Sequence, residues 1–318
     1  MSIKHFISVE DFTKTDYLKV FQQAKILQAG GDFSHLCRGK VLGSMFFKES
    51  VGTRALSETA IAKLGGSYTS IIGGQGSWVS AGVGDIEDTL TVIGSIVDIM
   101  IVRHKEELDL KKLATKVNIP IINGLCGGDE HALGALALVY TLWRRFPKLD
   151  SQIKLGFYGM ISASRPFKAL IKLLSLFQVT MYEDSIIPDF AAPAHIRKYV
   201  SQNKTKLISS KLADFISKVD VLVIPEGLPQ PGADKDLVEK FNQAFKPISN
   251  REMSFLKKGA IMIYSRPRVL TNKKLTVEKE VDNHPKNLYS QWLHDFLFAT
   301  MALITYLLSV KVTKTKKR

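Results

Sequence analysis

Cysteine is almost missing from this chain: Cys37 and Cys126 are the only two in 318 residues. Two are too few for a disulfide framework or a cysteine-rich zinc site, and they fit a reducing compartment. Acidic residues are also in deficit, 30 against 44 Lys and Arg, which leaves a formal net charge of +14. A long apolar run is missing too. The best candidate, FLFATMALITYLLSV at 296–310, has 15 residues, contains Thr300, Thr305 and Ser309, and is preceded by His294 and Asp295. Crossing a hydrocarbon core takes about 20 residues, so this stretch reads as a buried terminal helix and no membrane span is expected. The N-terminal MSIKHFISVEDF has neither the apolar core nor the small-residue cleavage site of a secretory leader, and a cytoplasmic protein is expected. Gly73-Gly74-Gln75-Gly76 does not open a helix as a dinucleotide fingerprint would. Phosphate-loop, HExxH and GxSxG motifs do not occur.

What is present is ordinary globular composition, 45% apolar and 23% charged, which excludes a disordered or fibrous chain. The length suits two domains, each with its own core. The positive charge is unevenly placed: the tail KVTKTKKR at 311–318 carries five basic residues and no acid, leaving 39 basic against 30 acidic elsewhere, +9. A solvated terminus accounts for such a tail. No zinc-finger spacing, aromatic RNA-binding signature or basic recognition helix accompanies it, so nucleic acid is not expected as a partner.

Strand-like apolar runs alternate with helical patterns. Strands are read at 41–47, 99–102, 119–122, 153–158, 179–182, 221–224 and 260–264, and helices at 55–64, 88–96, 132–146, 166–176 and 214–218. The helix at 55–64 ends at Gly65-Gly66, the residues expected beyond a helix C-terminus. This order implies an α/β fold of two domains, each a parallel sheet flanked by helices, with a boundary near 148–152. Ligands in such folds bind beyond the carboxyl ends of strands, near a switch in strand order. Ser50, Arg103, His131, Arg165 and Arg266 all follow strand ends in this reading.

Four segments carry candidate chemistry. In FFKESVGTRALSETAIAKLGG (46–66) a strand enters a loop of small and hydroxyl residues that opens a helix. Ser50, Thr53, Arg54 and the backbone N–H groups there form an anion cradle, or else Ser50 is a cap and Arg54 pairs with Glu58. In VDIMIVRH (97–104) Arg103 leaves a buried strand, poised to hold a phosphate or polarise a carbonyl, or else is a surface loop residue. His131, in NGLCGGDEHALGA (123–135), starts a helix either as a cap or as a catalytic group. IYSRPRV (263–269) ends a strand with two arginines about Pro267.

Taken in order with YSQWLHDFLFATMALI (289–304), these segments resemble the aspartate and ornithine carbamoyltransferase family, nearest the aspartate carbamoyltransferase catalytic chain. The resemblance implies a first domain at 1–147 that binds carbamoyl phosphate and is completed by a C-terminal helix at 286–310. A second domain at 148–285 binds the amino acid, and 311–318 is a basic tail. It also implies a homotrimer with sites completed by a neighbour's loop, and a reaction without metal or cofactor. Thr53, Arg103 and His131 stand at the family's catalytic positions, and Ser50 matches the start of its anion loop. Arg54 matches that loop's last, structural arginine, and Arg165 an arginine that holds a substrate carboxylate. Pro267 and Arg268 keep the end of the family's His-Pro-Leu-Pro-Arg loop, in which Arg266 replaces leucine.

The departures are in the charges. Val51-Gly52 replace the Thr-Arg that clamps phosphate, and His131-Ala132-Leu133-Gly134 lacks the family's glutamine. The loop at 77–84, SWVSAGVG, has no lysine, and Glu226-Gly227-Leu228 replaces an Arg-x-Gln carboxylate motif. One lost charge-assisted donor costs about 10²- to 10³-fold in rate. Carbamoyl transfer from carbamoyl phosphate to L-aspartate is therefore expected to be impaired or absent. The protein would then serve a structural or regulatory role, binding carbamoyl phosphate or another small anion and assembling with itself or an active homologue. The alternatives are a working aspartate carbamoyltransferase of pyrimidine biosynthesis, or a carbamoyltransferase with a changed acceptor.

Overall fold

A computed structural model describes residues 3–73, 78, 81–106, 108–127, 130–146, 148–225, 234–266 and 268–313. The chain divides into two compact units, the first made of residues up to Thr141 together with those from His294 on, the second of Leu142–Leu293.

The first unit runs α1 (Lys14–Gln28), β1 (Val41–Phe46), α2 (Val51–Lys63), β2 (Ser67–Ile72), α3 (Ile86–Gly94), β3 (Ile99–His104), α4 (Leu110–Ala114), β4 (Ile121–Cys126) and α5 (Ala132–Arg145). Its four strands are parallel in the order β2-β1-β3-β4. β4 and all but the first residue of β1 are buried, as expected of strands covered on both faces. Met45, Met100, Val102 and Ile121 of the sheet pack with Leu90 of α3 and with Leu110 and Leu113 of α4. The chain leaves β1 for β2 on one side and then fills β3 and β4 on the other, so strand order reverses between β1 and β3. That places the binding crevice of an open α/β sheet at the carboxyl ends of those two strands.

The second unit runs β5 (Lys154–Tyr158), α6 (Arg165–Ser175), β6 (Thr180–Asp184), α7 (Ala194–Gln202), β7 (Leu207–Ser209), α8 (Leu212–Phe215), β8 (Val221–Ile224), α9 (Lys235–Ala244), α10 (Asn250–Phe255) and β9 (Ile261–Tyr264), before α11 (Tyr289–Leu307). Its parallel strands lie in the order β7-β6-β5-β8-β9, with the switch between β5 and β8. Phe215, Leu222, Phe241, Phe245, Met262 and Val281 belong to one buried cluster.

All but the last three residues of the apolar terminal run lie in α11, where Ala299, Ala302, Leu303 and Ile304 are fully buried. Among the described residues no helix is long and apolar enough to cross a membrane. Within the first unit, α1 and α11 are joined through Asp16. Its carboxylate accepts from Lys4 Nζ at 2.7 Å, Thr13 Oγ1 at 2.6 Å, Thr13 N at 3.0 Å, and the Tyr306 hydroxyl. Partial burial works against the charged form, but these donors outweigh it and hold the Asp16 carboxyl well below the usual carboxylate range.

A carboxylate depressed in the folded state stabilises it fully above the unfolded value near ~4, and that stabilisation is lost as pH falls below it. Asp16→Asn is therefore expected to lower stability at neutral pH by about 1.5–3 kcal/mol. It should also flatten the acid side of the stability profile. Thermal midpoints at pH 7 and pH 3 check this; an unchanged gap between wild type and variant at the two pH values would refute it.

Candidate active site

In the first unit the sequence-derived candidates sit at the carboxyl ends of β1, β3 and β4. β3 extends through Arg103 and His104, beyond the 99–102 read from the apolar pattern, because β1 and β4 continue to pair with it. Arg103 lies opposite Phe46 in the β1 register, its carbonyl accepts from Phe47 N at 2.9 Å, and its Nη1 donates to the Gly124 carbonyl of β4 at 3.5 Å. The surface-loop alternative for Arg103 does not hold: it is half-buried between its two neighbouring strands.

The end of β4 is bent. Its register with β3 shifts between Val102 and His104, and Leu125 takes a φ of 97°, a left-handed conformation unusual for a branched side chain. Asn123 fixes this turn: its Oδ1 accepts from Leu125 N at 2.9 Å and Cys126 N at 2.8 Å, while its Nδ2 donates to the Ile7 carbonyl. Strain held by such a network is common where a loop must be aimed. The chain then reaches His131, whose Nδ1 accepts from Gly134 N at 3.3 Å. His131 thus caps α5, and in its neutral form the ring proton belongs on Nε2, leaving that nitrogen a donor. The cap and the candidate catalytic group are the same residue.

α2 starts at Val51, four residues before the 55 read from sequence, because Gly52 and Thr53 complete its first turn. Ser50 is its extended N-cap residue but makes no side-chain cap hydrogen bond. The Ser50 side chain therefore accepts from none of the first backbone N–H groups of α2, and such N–H groups at a helix start are able to donate to an anion. Thr53 is buried to 6% exposure, whereas Val51 is 89% exposed. Arg54 realises the local alternative: Nη1 lies 3.3 and 3.4 Å from the two Glu58 carboxylate oxygens. Glu58 is itself buried and accepts from Ser44 of β1 at 2.8 Å and Ser70 of β2 at 2.9 Å. Glu58 thus fastens α2 to the sheet, and Arg54, one turn earlier on the same helix, pairs with it.

In the second unit Arg165 is the first residue of α6, directly after the β5 loop, and is half-buried. Arg266 follows β9. Its Nη2 donates to Tyr264 Oη at 2.9 Å and lies 3.3 Å from Asp282 Oδ1, and its guanidinium lies 4.6 Å over the Tyr289 ring. Arg268 engages both Asp282 oxygens, through Nη1 and, at 2.8 Å, through Nη2. The Arg268 hydrogen bonds hold the Asp282 carboxyl below its usual range despite some burial. Asp282 is more than a dozen positions from either arginine, so only the fold reveals this clamp; sequence offered no local sign of it. Pro267 and the stretch Glu226-Gly227-Leu228 lie outside the described residues.

Both cysteines are buried and reduced, and burial pushes the thiols up, Cys37 to about 11 and Cys126 to about 12, which makes them poor nucleophiles. Among the described residues no group of three or more His, Cys, Asp or Glu is placed to hold a metal ion.

Residues 4–144 match the family described as aspartate/ornithine carbamoyltransferase, carbamoyl-P binding domain. The aspartate carbamoyltransferase catalytic subunit of Finegoldia magna is 26% identical over 310 residues, covering 97% of this chain and 99% of that one. The catalytic subunit of Pyrobaculum calidifontis is 28% identical over 269 residues, 83% of this chain and 86% of that one. Among solved structures, the catalytic subunit of M. jannaschii aspartate transcarbamoylase superposes with a TM-score of 0.84 at 26% identity, covering 96% of this chain and 98% of that one.

Proposed function

The chain belongs to the aspartate/ornithine carbamoyltransferase family, and on that premise we propose that it is an aspartate carbamoyltransferase of reduced power. It transfers the carbamoyl group of carbamoyl phosphate to the amine of L-aspartate, the chemistry of an early step in pyrimidine biosynthesis. One observation carries the reading. Arg103 ends β3 and His131 stands at the start of α5 after the adjacent strand β4, each fixed through a backbone contact, and α2, whose N-cap Ser50 makes no cap hydrogen bond, follows the neighbouring β1.

The chemistry follows from those donors. The neutral amine of aspartate attacks the carbamoyl carbon, forming the C–N bond and a tetrahedral oxyanion. Collapse of that intermediate breaks the carbon–oxygen bond to phosphate, which leaves with the electron pair as the amine loses its proton. The Arg103 guanidinium, the His131 Nε2–H and the Thr53 hydroxyl supply donors to the developing oxyanion, and the first amides of α2 supply donors to the phosphate. Fixed donors of this kind are worth most because they need no reorganisation.

The deficit is equally concrete. No arginine stands at 51–52 and no lysine at 77–84, and Glu226 replaces a cation. A turnover on the order of 0.1 s⁻¹ or lower is expected, about two decades under the usual ~10 s⁻¹. We further propose a homotrimer. It is supported by apolar side chains of the first unit that stand exposed, among them Tyr68 at 48% and Ile72 at 45% on the edge strand β2 and Val83 at 75%.

A structural or regulatory homologue without turnover, assembling with an active relative, is the second reading; the missing loop lysine favours it. Calorimetric titration with carbamoyl phosphate and with a bisubstrate phosphonate, followed by a carbamoyl-aspartate assay on protein sized by light scattering, separates the two. Binding heat with slow turnover supports the transferase. Silence from both ligands defeats it and leaves the second reading.

A further inference from the structure

We propose that Arg266 is the specificity-determining cation for the acceptor, holding a carboxylate of the incoming amino acid in place of the arginine that the 226–228 stretch lacks. The proposal rests on the carbamoyltransferase reading above and deepens it.

Its position is the first argument. β9 neighbours β8, and β8 neighbours β5 across the switch in strand order, so residues just past β9 share the sheet end at which ligands of open α/β sheets bind. Arg266 is two residues past the end of β9.

Its preparation is the second. The Tyr264 and Tyr289 rings stack at 5.1 Å and 18°, and the guanidinium lies 4.6 Å over Tyr289 and 5.7 Å from Tyr264. This aromatic platform holds the long side chain in one arrangement, which removes much of the entropy that a free arginine loses on binding. The Tyr264 hydroxyl donates to Asp282 while accepting from both arginines, so all four polar groups sit in one network.

Its charge is the third. Asp282 is engaged by Arg268 through two nitrogens, which neutralises that pair; Arg266 meets it only once, at 3.3 Å, through Nη2. The cluster of two arginines and one aspartate therefore carries one surplus positive charge, and it belongs to Arg266. Both hydrogen bonds of Arg266 to described residues use Nη2, so Nη1 and Nε keep their hydrogens directed elsewhere. The side chain is 45% exposed, against 12% for Arg268. A planar, permanently charged fork with free edges is suited to a carboxylate. An arginine whose only task was to brace the loop would be buried like Arg268.

The test compares wild type with Arg266→Leu and Arg266→Lys, each checked for an unchanged thermal midpoint. With turnover present, Arg266→Leu should raise the KM for L-aspartate at least tenfold while leaving the KM for carbamoyl phosphate within twofold, and Arg266→Lys should fall between. An unchanged aspartate KM overturns the proposal. So does a rise confined to carbamoyl phosphate, which would make Arg266 a phosphate ligand. If wild type shows no turnover, the carbamoyltransferase reading fails on its own. Arg266 is then judged by calorimetry with succinate, an unreactive dicarboxylate: loss of binding in Arg266→Leu supports the anchor, and equal binding or none in wild type overturns it.

Discussion

Gly52→Arg is expected to raise kcat/KM for carbamoyl phosphate by about 10²-fold, the reverse of losing one preorganised cation. The fold permits it. Gly52 is the second residue of α2, and a Cβ built there meets no atom within 4 Å. Replacing glycine inside a helix favours the helix by up to ~1 kcal/mol. A cation near a helix N-terminus opposes that by about 0.3–1 kcal/mol, so folding stability should be nearly unchanged. The new guanidinium would stand beside the amides that Ser50 leaves uncapped, where a phosphate would lie. Gly52→Gln, of similar reach without the charge, is the control. Steady-state kinetics and inhibition by inorganic phosphate decide the matter: identical behaviour of the arginine and glutamine variants would show that no phosphate binds there. Restoring glutamine at Gly134 is a different case, because a Cβ there already comes within 3.3 Å of the His131 ring and would disturb the donor it is meant to assist.

Gly65→Ala is expected to lose more than about 4 kcal/mol of stability, with a midpoint lower by on the order of 10 °C or no soluble protein at all. Gly65 follows α2 with a φ of +83°, which costs an L side chain about 1–2 kcal/mol. The larger part comes from the neighbour: an added Cβ would sit 1.6 Å from the Ser34 carbonyl oxygen and 2.5 Å from its carbon. Those are backbone atoms, so no rotamer change relieves the overlap, and α2 or the 33–37 turn must move. Gly39→Ala isolates the two contributions, since Gly39 has a φ of +77° with nothing within 4 Å. It should lose only the backbone part. Equal midpoints for the two alanine variants would show that the contact with Ser34 does not matter.

The Gly65-Gly66 pair shows how far sequence carries. That α2 ends there is readable, because glycine past a helix is a local, geometric signal. That the chain at Ser34 lies against it is not, since nothing within a few residues encodes that approach. α1 lies between the two. Its apolar Tyr17, Val20, Phe21, Ala24 and Leu27 are helix-spaced, and Thr13 with Asp16 forms a capping box, so the signal exists in the sequence. β2 had less to show: its residues are β-formers between Gly66 and Gly73, but it lies on an exposed edge where no apolar pattern marks it.

By itself the sequence determined the α/β alternation, the order of the candidate residues that follow β1, β3 and β4, and the cations that are missing. These follow from local periodicity, from glycine, and from residue identity at fixed spacing. For Arg54 the sequence already offered the pairing with Glu58 one helical turn on, and the structure chose it; for Arg266 and Arg268 only tertiary structure decided which cation is free to act. Arg54 is drawn to a buried carboxylate shared with Ser44 and Ser70, Arg268 is neutralised by Asp282, and Arg266 is left with the surplus charge on an aromatic platform. The reason is that electrostatic pairing acts over a few ångströms of space rather than along the chain, and distant residues share that space only once the two sheets have formed. The same holds for the scarcity noted first. An excess of positive charge over the whole chain says little about which cation can act, because pairing is decided residue by residue once the chain has folded.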